Sequence, residues 1–209
     1  MRVPLESGDR KLLIIAGALL VLAVLGAVVV SPPKVEPMRG VPSRYSTASK
    51  GAKAAYLLLR ELGIETESWE SPPSDLPRAP EEAAKVVLIL AEPITFPSAE
   101  EESDLRSFLT AGGQILATGI AGAALVPEGD LRPGKNPLPE PRRFRAELPA
   151  PLTRRTPEVM LEAPTRWGQG HGHHVRYYGD ARGATVVSYR VGRGRVVWWA
   201  DATPLTNYG

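Results

Sequence analysis

The longest hydrophobic segment of the chain runs from Leu12 to Val30, nineteen residues without a charged or strongly polar side chain. A helix rises about 1.5 Å per residue, so this segment spans roughly 28 Å, close to the hydrocarbon thickness of a bilayer. Arg10 and Lys11 precede it directly, and basic residues tend to stay on the cytoplasmic side. We therefore expect residues 1–11 to be cytoplasmic and residues 12–30 to form a transmembrane helix in contact with lipid.

The sequence after this segment predicts a single-pass protein of the cell membrane whose main part lies outside the cytoplasm. A cleaved signal peptide is the alternative, but the valines at 28–30 offer no pair of small residues for cleavage. Pro32 and Pro33 end the helix, and residues 31–41 are predicted to be a Pro-rich spacer. Residues 42–209 then form the extracytoplasmic domain.

From residue 42 onward, helical and strand-like patterns alternate. Apolar side chains recur at helical spacing after Ser49, and a second helix follows the capping-box sequence that starts at Ser98. The runs 86–90 and 114–118 have strand length, and a continuous apolar run favours a strand covered on both faces. This alternation predicts an α/β layered fold with a mainly parallel sheet.

A long excursion is predicted over residues 127–164, which contain nine prolines and little periodicity. After it, segments 175–178 and 184–190 are typical of an antiparallel pair, and residues 195–200 form the last apolar strand. The chain stops at Gly209 in loop-like sequence, so we expect the domain to be truncated at its C-terminus.

Composition and charge narrow the possible chemistry. The chain has no cysteine, which excludes a disulfide framework, a thiolate metal site and a cysteine nucleophile. A net charge of only +2 disfavours a nucleic-acid partner.

Residues 31–130 carry 9 basic and 15 acidic side chains, net −6, whereas residues 131–209 carry 13 basic and 6 acidic side chains, net +7. Either the two halves pair with each other, or the Arg-rich half binds an envelope glycan or anionic lipid.

Polar side chains follow two predicted strands, Glu92 after the first apolar strand and Asp201 after the last. Ligands of open α/β sheets bind beyond the C-terminal ends of the strands. We therefore predict that Glu92 and Asp201 share one shallow crevice with Tyr45, Ser46 and Asn207, and that this edge binds a partner or ligand. The alternative is that the two carboxylates only cap the loops that follow the strands.

A histidine cluster, His171, His173 and His174, is a weaker candidate, as a transition-metal site. Glycines surround these residues, so we expect exposed loop histidines rather than metal ligands. The sequence contains no nucleophile elbow, P-loop or dinucleotide-binding motif. We therefore predict no catalytic residue and no cofactor.

Three segments of the sequence carry a family resemblance: PSRYSTASKGAKAAYLLLRELGIETESW, VVLILAEPITFPSAEEESDLRSFLTAGGQILATG and YRVGRGRVVWWADATPLTN. Together they resemble the bacterial, membrane-anchored domain-of-unknown-function family 4350. That family is similar in fold to class I glutamine amidotransferases, which implies a flavodoxin-like layered fold. Active amidotransferases have a cysteine at the elbow after a strand such as GGQILAT, where this chain has residues 119–122, GIAG. The resemblance therefore implies the amidotransferase-like shape, as in a pseudo-enzyme, without its nucleophile.

These observations favour a membrane-tethered, non-enzymatic domain of the bacterial envelope that binds a partner protein or a small ligand at the strand edge. Two alternatives remain open at this point. One is a hydrolase that uses Glu92 and Asp201, and the other is an Arg-rich module that binds envelope glycan or anionic lipid.

Overall fold

The computed structural model describes residues 42–129, 131–133, 140–168 and 173–207, which lie in one unit, Gly40–Gly209. The helices are α1 (Lys53–Glu61), α2 (Pro80–Ala83), α3 (Ala99–Ala111) and α4 (Gly119–Leu125), with 3-10 turns at Pro73–Asp75 and Thr203–Leu205. The strands are β1 (Val87–Leu90), β2 (Gln114–Thr118), β3 (Leu131–Pro133), β4 (Arg142–Arg145), β5 (Glu158–Leu161), β6 (Thr165–Trp167), β7 (His174–Asp180), β8 (Gly183–Val191) and β9 (Gly194–Trp199).

The main sheet has seven strands in the order β1-β2-β9-β8-β6-β3, with β7 also paired to β8. Only the β1–β2 and β2–β9 pairs are parallel. The β8–β9, β7–β8, β6–β8 and β3–β6 pairs are antiparallel. Strands β4 and β5 form a separate antiparallel pair.

The prediction of a flavodoxin-like or amidotransferase-like fold with a mainly parallel sheet is therefore wrong. The sheet is mixed and most of its pairs are antiparallel. The physical reason lies in the connections, because β7, β8 and β9 follow one another through two-residue turns, and such a turn can join only antiparallel strands. Parallel strands need a long crossover connection, usually a helix. In the described chain, α3 connects β1 to β2, and α4 follows β2 at the start of the long connection to β9.

Strand β1 also differs from the expectation of a strand covered on both faces. It lies at the edge of the main sheet, and the side chains of Val87 and Ile89 are exposed while those of Leu88 and Leu90 are half-buried. Apolar sequence alone did not distinguish an edge strand from a central one.

The core lies where α3 and α4 pack on β2 and β9. Helix α3 begins with a complete capping box, in which Ser98 Oγ accepts from the Glu101 amide and the Glu101 carboxylate accepts from the Ser98 amide. Its buried side chains are Leu105, Phe108 and Leu109. Burial of each such side chain stabilises the fold by about 1.5–3 kcal/mol.

No helix among the described residues is long and apolar enough to cross a membrane. The segment Leu12–Val30, where a transmembrane helix is predicted, lies outside the described residues, as does the spacer at residues 31–41.

A buried guanidinium links the second half of the sheet to its neighbouring loops. The Arg166 side chain is only 7% exposed, and it donates to the Ala163 and Thr165 carbonyls and to the Asp180 carboxylate. Burial alone would raise the pKa of Asp180, but hydrogen bonds from Arg166 and Arg182 outweigh it and lower the pKa to about 2. The pair therefore stabilises the fold in its ionised form.

We predict that Asp180→Asn lowers the free energy of unfolding at pH 7 by about 1–3 kcal/mol, less than for a fully buried pair because Asp180 is partly exposed. The pKa of Asp180 is depressed, so this stabilisation is present above the unfolded pKa and is lost as the pH falls through about 2. Denaturant melts of wild type and variant at pH 7 and near pH 2 measure both effects. Arg145→Gln, in an exposed pair with Glu158, is the control and should cost less than about 1 kcal/mol. A loss that persists unchanged at pH 2 would contradict the ionic origin.

Candidate functional site

A pocket of about 130 Å³ lies beyond the C-terminal ends of β1 and β9. Its walls come from the loop before α1, the second residue after β1, the residue after β5 and the turn after β9. The lining residues are Ser49, Lys50, Glu92, Glu162, Asp201, Ala202, Thr203 and Thr206. Strands β1 and β9 each run parallel to β2, so both end at the same edge of the sheet and bring Glu92 and Asp201 into one pocket.

Glu92 is held in an unusual backbone conformation. Its φ is +43°, a region that non-glycine residues adopt at a cost of about 1–3 kcal/mol and that clusters at functional sites. Its amide donates to Thr118 Oγ1 at 2.9 Å, which ties the end of β1 to the end of β2. The conformation turns the chain out of the strand and aims the Glu92 carboxylate at the start of α4.

Gly119, the first residue of α4, makes room for that carboxylate. Its φ is +70°, and a Cβ there would lie 2.7 Å from Glu92 Cγ and 2.9 Å from Glu92 Oε1. The Gly119 carbonyl accepts a hydrogen bond from the indole of fully buried Trp198 at 2.9 Å. The close approach between Glu92 and Gly119 is thus supported from the core side by β9.

Asp201 has a different environment from Glu92. It is only 3% exposed, and each carboxylate oxygen accepts from a backbone amide, Oδ2 from Ala163 and Oδ1 from Thr203, both at 2.6 Å. Ala163 itself has a φ of +47°. Asp201 therefore joins the loop after β5 to the turn after β9, and its carboxylate is engaged in shaping the pocket.

The electrostatics of the pocket centre on Glu92. Burial raises the pKa of Glu92, and the neighbouring Asp201 carboxylate raises it further, while the Ala202 amide and Lys50 act in the opposite direction. The Ala202 amide is 3.4 Å from Glu92 Oε1, a long hydrogen bond. Glu92 is thus a half-buried carboxylate with weak internal partners, the kind of group that takes part in binding or proton transfer.

Two further charged residues of the pocket were missed by the sequence prediction. Lys50 Nζ lies 3.7 Å from Glu162 Oε2, and both side chains line the pocket. Glu162 falls in the Pro-rich excursion, where no periodicity marks its position, and Lys50 belongs to the loop before α1. Only the fold brings these two residues to the end of β1.

The remaining residues predicted for this site do not line the pocket. Tyr45 is 67% exposed, and its hydroxyl donates to Glu70 and accepts from Arg44. Ser46 accepts through its carbonyl from the Asn207 side chain at 2.9 Å.

Asn207 has a structural role next to the pocket. Its side chain donates to the Ser46 and Ala48 carbonyls and accepts from the Ala54 amide. Its own amide donates to the Gly51 carbonyl at 2.7 Å. Asn207 therefore fastens the segment that carries Ser49 and Lys50 to the end of the sheet.

The weaker, histidine-based candidate is only partly within the described residues. His173 is exposed, and His174 is half-buried with its ring edge-on to Trp167 at a centroid distance of 6.4 Å. His171 lies outside the described residues. Among the residues that the structure describes, no group of three or more His, Cys, Asp or Glu side chains is arranged to hold a metal ion.

The fold and the pocket together define an α/β domain with a mixed sheet and a small strand-end pocket. The family model of a domain of unknown function, DUF4350, matches residues 44–209. The chain therefore belongs to this family, as the resemblance of its three segments predicted.

One solved structure with similarity is the exo-beta-1,4-mannosidase Op5Man5 from Opitutaceae bacterium strain TAV5. The identity is 18% and the TM-score 0.48, over 71% of this chain and 25% of the mannosidase. This chain thus spans about a quarter of the length of that enzyme, and no property of the enzyme is transferred to it. No curated protein matches the chain.

We predict that Gly119→Ala destabilises the domain by about 1–3 kcal/mol, because the new Cβ strains the positive φ and displaces the Glu92 side chain. Thermal or urea melts measure the change. In a Glu92→Ala background the collision is absent, so the same substitution should cost less, and the difference between the two costs is the coupling. Equal costs in both backgrounds would show that Gly119 does not contact Glu92.

Neutralising Asp201 and neutralising Glu92 should change the stability of the domain in opposite directions. Asp201→Asn leaves buried amide partners poorly satisfied and should cost about 1–3 kcal/mol. Glu92→Gln should stabilise the domain at pH 8, because burial raises the pKa of Glu92 and its ionised form therefore weakens the native state.

The sign of the pH dependence follows from that raised pKa. The native state retains the Glu92 proton to a higher pH than the unfolded chain does, so wild type loses stability as the pH rises above the unfolded value of about 4.3. The advantage of Glu92→Gln should then shrink as the pH falls toward 4. Melting curves of both variants between pH 4 and 8 measure this, and an advantage that is independent of pH would contradict the assignment.

Proposed function

We propose that this chain is a membrane-tethered, non-enzymatic domain of the bacterial envelope that binds a partner protein, and that one basic or hydrogen-bond-donating group of the partner enters the strand-end pocket. The observation that carries this proposal is the Glu92 carboxylate. It is half-buried, weakly hydrogen-bonded within the chain, and held in the pocket by a strained backbone and by the absence of a side chain at Gly119.

The size of the pocket favours one group of a larger partner over a complete small molecule. Pockets that enclose drug-sized ligands measure about 300–1,000 Å³, whereas this pocket measures about 130 Å³. A volume of that order accommodates the end of a side chain. A small free ligand, such as an amine, would use the same contacts with less buried area.

The charge of the pocket favours a donor group. Three carboxylates and one ammonium line it, and Asp201 already accepts two amides while Glu162 faces Lys50. Glu92 is thus the carboxylate with capacity left for an external donor. In this proposal Glu92 contacts the partner, and Asp201 and Asn207 position the walls.

The membrane tether in this proposal is supported by the sequence of Leu12–Val30, an uncharged run of transmembrane length. The described domain begins at residue 42, and the eleven residues 31–41 separate it from the end of that run. A tether of this kind would hold the pocket close to membrane proteins of the envelope and raise their effective concentration.

Site-specific photocrosslinking in native membranes tests the proposal. A crosslinking residue in place of Thr206, which lines the pocket, should give a discrete adduct in the membrane fraction. Glu92→Gln should reduce that adduct at least about tenfold, because a charge-assisted hydrogen bond contributes about 1.5–3 kcal/mol. The control is a crosslinking residue in place of Val175, exposed on β7, whose adducts should not respond to Glu92→Gln.

The two parts of the proposal fail separately. An adduct that is unchanged in Glu92→Gln would exclude the pocket as the binding site. Recovery of the chain in the soluble fraction after alkaline extraction would exclude the tether, whatever the crosslinks show.

A hydrolase remains the second candidate, and the raised pKa of Glu92 is the observation that favours it. A carboxyl group whose pKa is raised by burial can act as a general acid, with Asp201 as the second carboxylate. Turnover of chromogenic ester, phosphate and glycoside substrates by the wild-type chain, abolished in Glu92→Gln, would support this candidate. Absence of turnover across that panel would leave binding as the function of the pocket.

A further inference from the structure

The turn between β8 and β9 carries an unusual concentration of arginine. Arg190 is the exposed residue of β8, Arg193 lies in the turn, and Arg195 is the second residue of β9. All three side chains are exposed. Arg106, on the neighbouring face of α3, is also exposed and acts electrostatically on Tyr189. We refer to Arg190, Arg193 and Arg195 as the arginine tip.

Arg193 is the only residue with a side chain in the Gly-Arg-Gly sequence of the turn. Gly192 has a φ of +59°, and a Cβ at Gly194 would lie 2.2 Å from the Gly113 carbonyl oxygen and 2.4 Å from that of Leu109. Both positions therefore require glycine, and the turn packs against the last turn of α3. Arg193, between the two glycines, is presented at the apex of a rigid turn.

The arginine tip has no ionic partner in the part of the chain that the structure describes. Arg190, Arg193 and Arg195 make no hydrogen bond or ion pair with any carboxylate among the described residues, although six other arginines do. Those six are Arg44, Arg78, Arg145, Arg166, Arg176 and Arg182.

The uneven charge of the chain is not explained by pairing between its halves. Of the seven ion pairs among described residues, six join residues of the same half, either within 31–130 or within 131–209. The remaining pair, Lys50 with Glu162, joins the two halves, but its basic residue belongs to the acidic half and its acidic residue to the Arg-rich half. The arginine excess of the second half is therefore left exposed to an external anion.

The pairing register places two of these charges face to face. Arg190 and Arg195 are direct cross-strand partners, so their Cβ atoms lie about 4.5–5.5 Å apart on one face of the sheet. Like charges in this position destabilise a sheet. The nearby C-terminal end of α3 favours cations, but its Leu109 and Phe108 carbonyls already accept from the amides of Gly112 and Gly113. An anion held between the two guanidinium groups would remove the repulsion.

We infer that the arginine tip is a binding site for a phosphate-bearing polyanion. Guanidinium groups bind phosphate oxygens through paired hydrogen bonds, and three of them on a rigid hairpin form a small recognition surface. The site lies at the N-terminal ends of β2 and β9, the edge opposite the pocket.

The proposed occupant is a soluble or wall-associated polyphosphate or phosphodiester polymer, and lipid headgroups, which carry the same phosphate group, are distinguished from it by the experiment below. The anion site does not rest on the proposed tether or on the strand-end pocket. The two proposals are therefore tested by different readouts.

Titration of the full chain in phosphatidylcholine nanodiscs with long-chain inorganic polyphosphate tests the site. The triple variant Arg190→Gln, Arg193→Gln and Arg195→Gln should bind at least about tenfold more weakly, with a shallower dependence on salt concentration. The matched control is Arg142→Gln, Arg143→Gln and Arg154→Gln, which removes the same charge from exposed, unpaired arginines elsewhere and should change affinity less than twofold. Arg195→Gln alone should raise the melting temperature at low salt, because it removes the cross-strand repulsion.

Three results would overturn the inference. Equal losses in the two triple variants would show that polyphosphate responds only to net charge. Binding to added phosphatidylglycerol vesicles without binding to polyphosphate would assign the tip to lipid headgroups. A lowered melting temperature for Arg195→Gln at low salt would show that Arg195 stabilises the fold, which contradicts the predicted cross-strand repulsion.

Discussion

The edge of the sheet that holds the pocket depends on one buried carboxylate. Asp201 accepts two short hydrogen bonds from amides that belong to different loops, at Ala163 and Thr203. Through the first amide it places the loop that carries Glu162, and through the second it starts the turn that carries Thr206. The pocket has these walls because a charged acceptor is buried where two backbone donors converge, and a buried charge is retained only where such donors satisfy it.

Glu92 lies beside Asp201 but has fewer hydrogen bonds within the chain, so its carboxylate can accept one from a binding partner. The two side chains follow parallel-aligned strands and lie in one pocket, yet Asp201 uses both of its oxygens internally, whereas Glu92 has only a long hydrogen bond to Ala202. The difference arises from backbone conformation, because the positive φ at Glu92 turns its carboxylate toward Gly119 and away from the loop amides. Environment, more than residue type, separates the two carboxylates.

The two ends of the sheet differ in charge as well as in geometry. Acidic side chains collect at the C-terminal ends of β1 and β9, and unpaired arginines collect at the hairpin that begins β9. Since six of the seven ion pairs among the described residues join residues of the same half of the chain, these pairs do not neutralise the charge separation. In the proposals made above, one end contacts a partner's donor group and the other a polyanion, which allows both to be bound at once.

The sequence by itself determined the local features of this protein: the capping box at Ser98, the antiparallel pair of segments 175–178 and 184–190, and the family to which the three segments belong. It also placed Glu92 and Asp201 at strand ends, because a polar residue directly after an apolar run marks that position. The direction of the strands was decided by tertiary structure, since a continuous apolar run fits any buried strand, and only the connections and the pairing distinguish parallel from antiparallel neighbours. The same holds for Lys50 and Glu162, which lie 112 positions apart in the chain and meet only because Asn207 and Asp201 bring their loops to one edge. Periodicity reports which face of an element is apolar, and it contains no information about which distant loop will lie beside it.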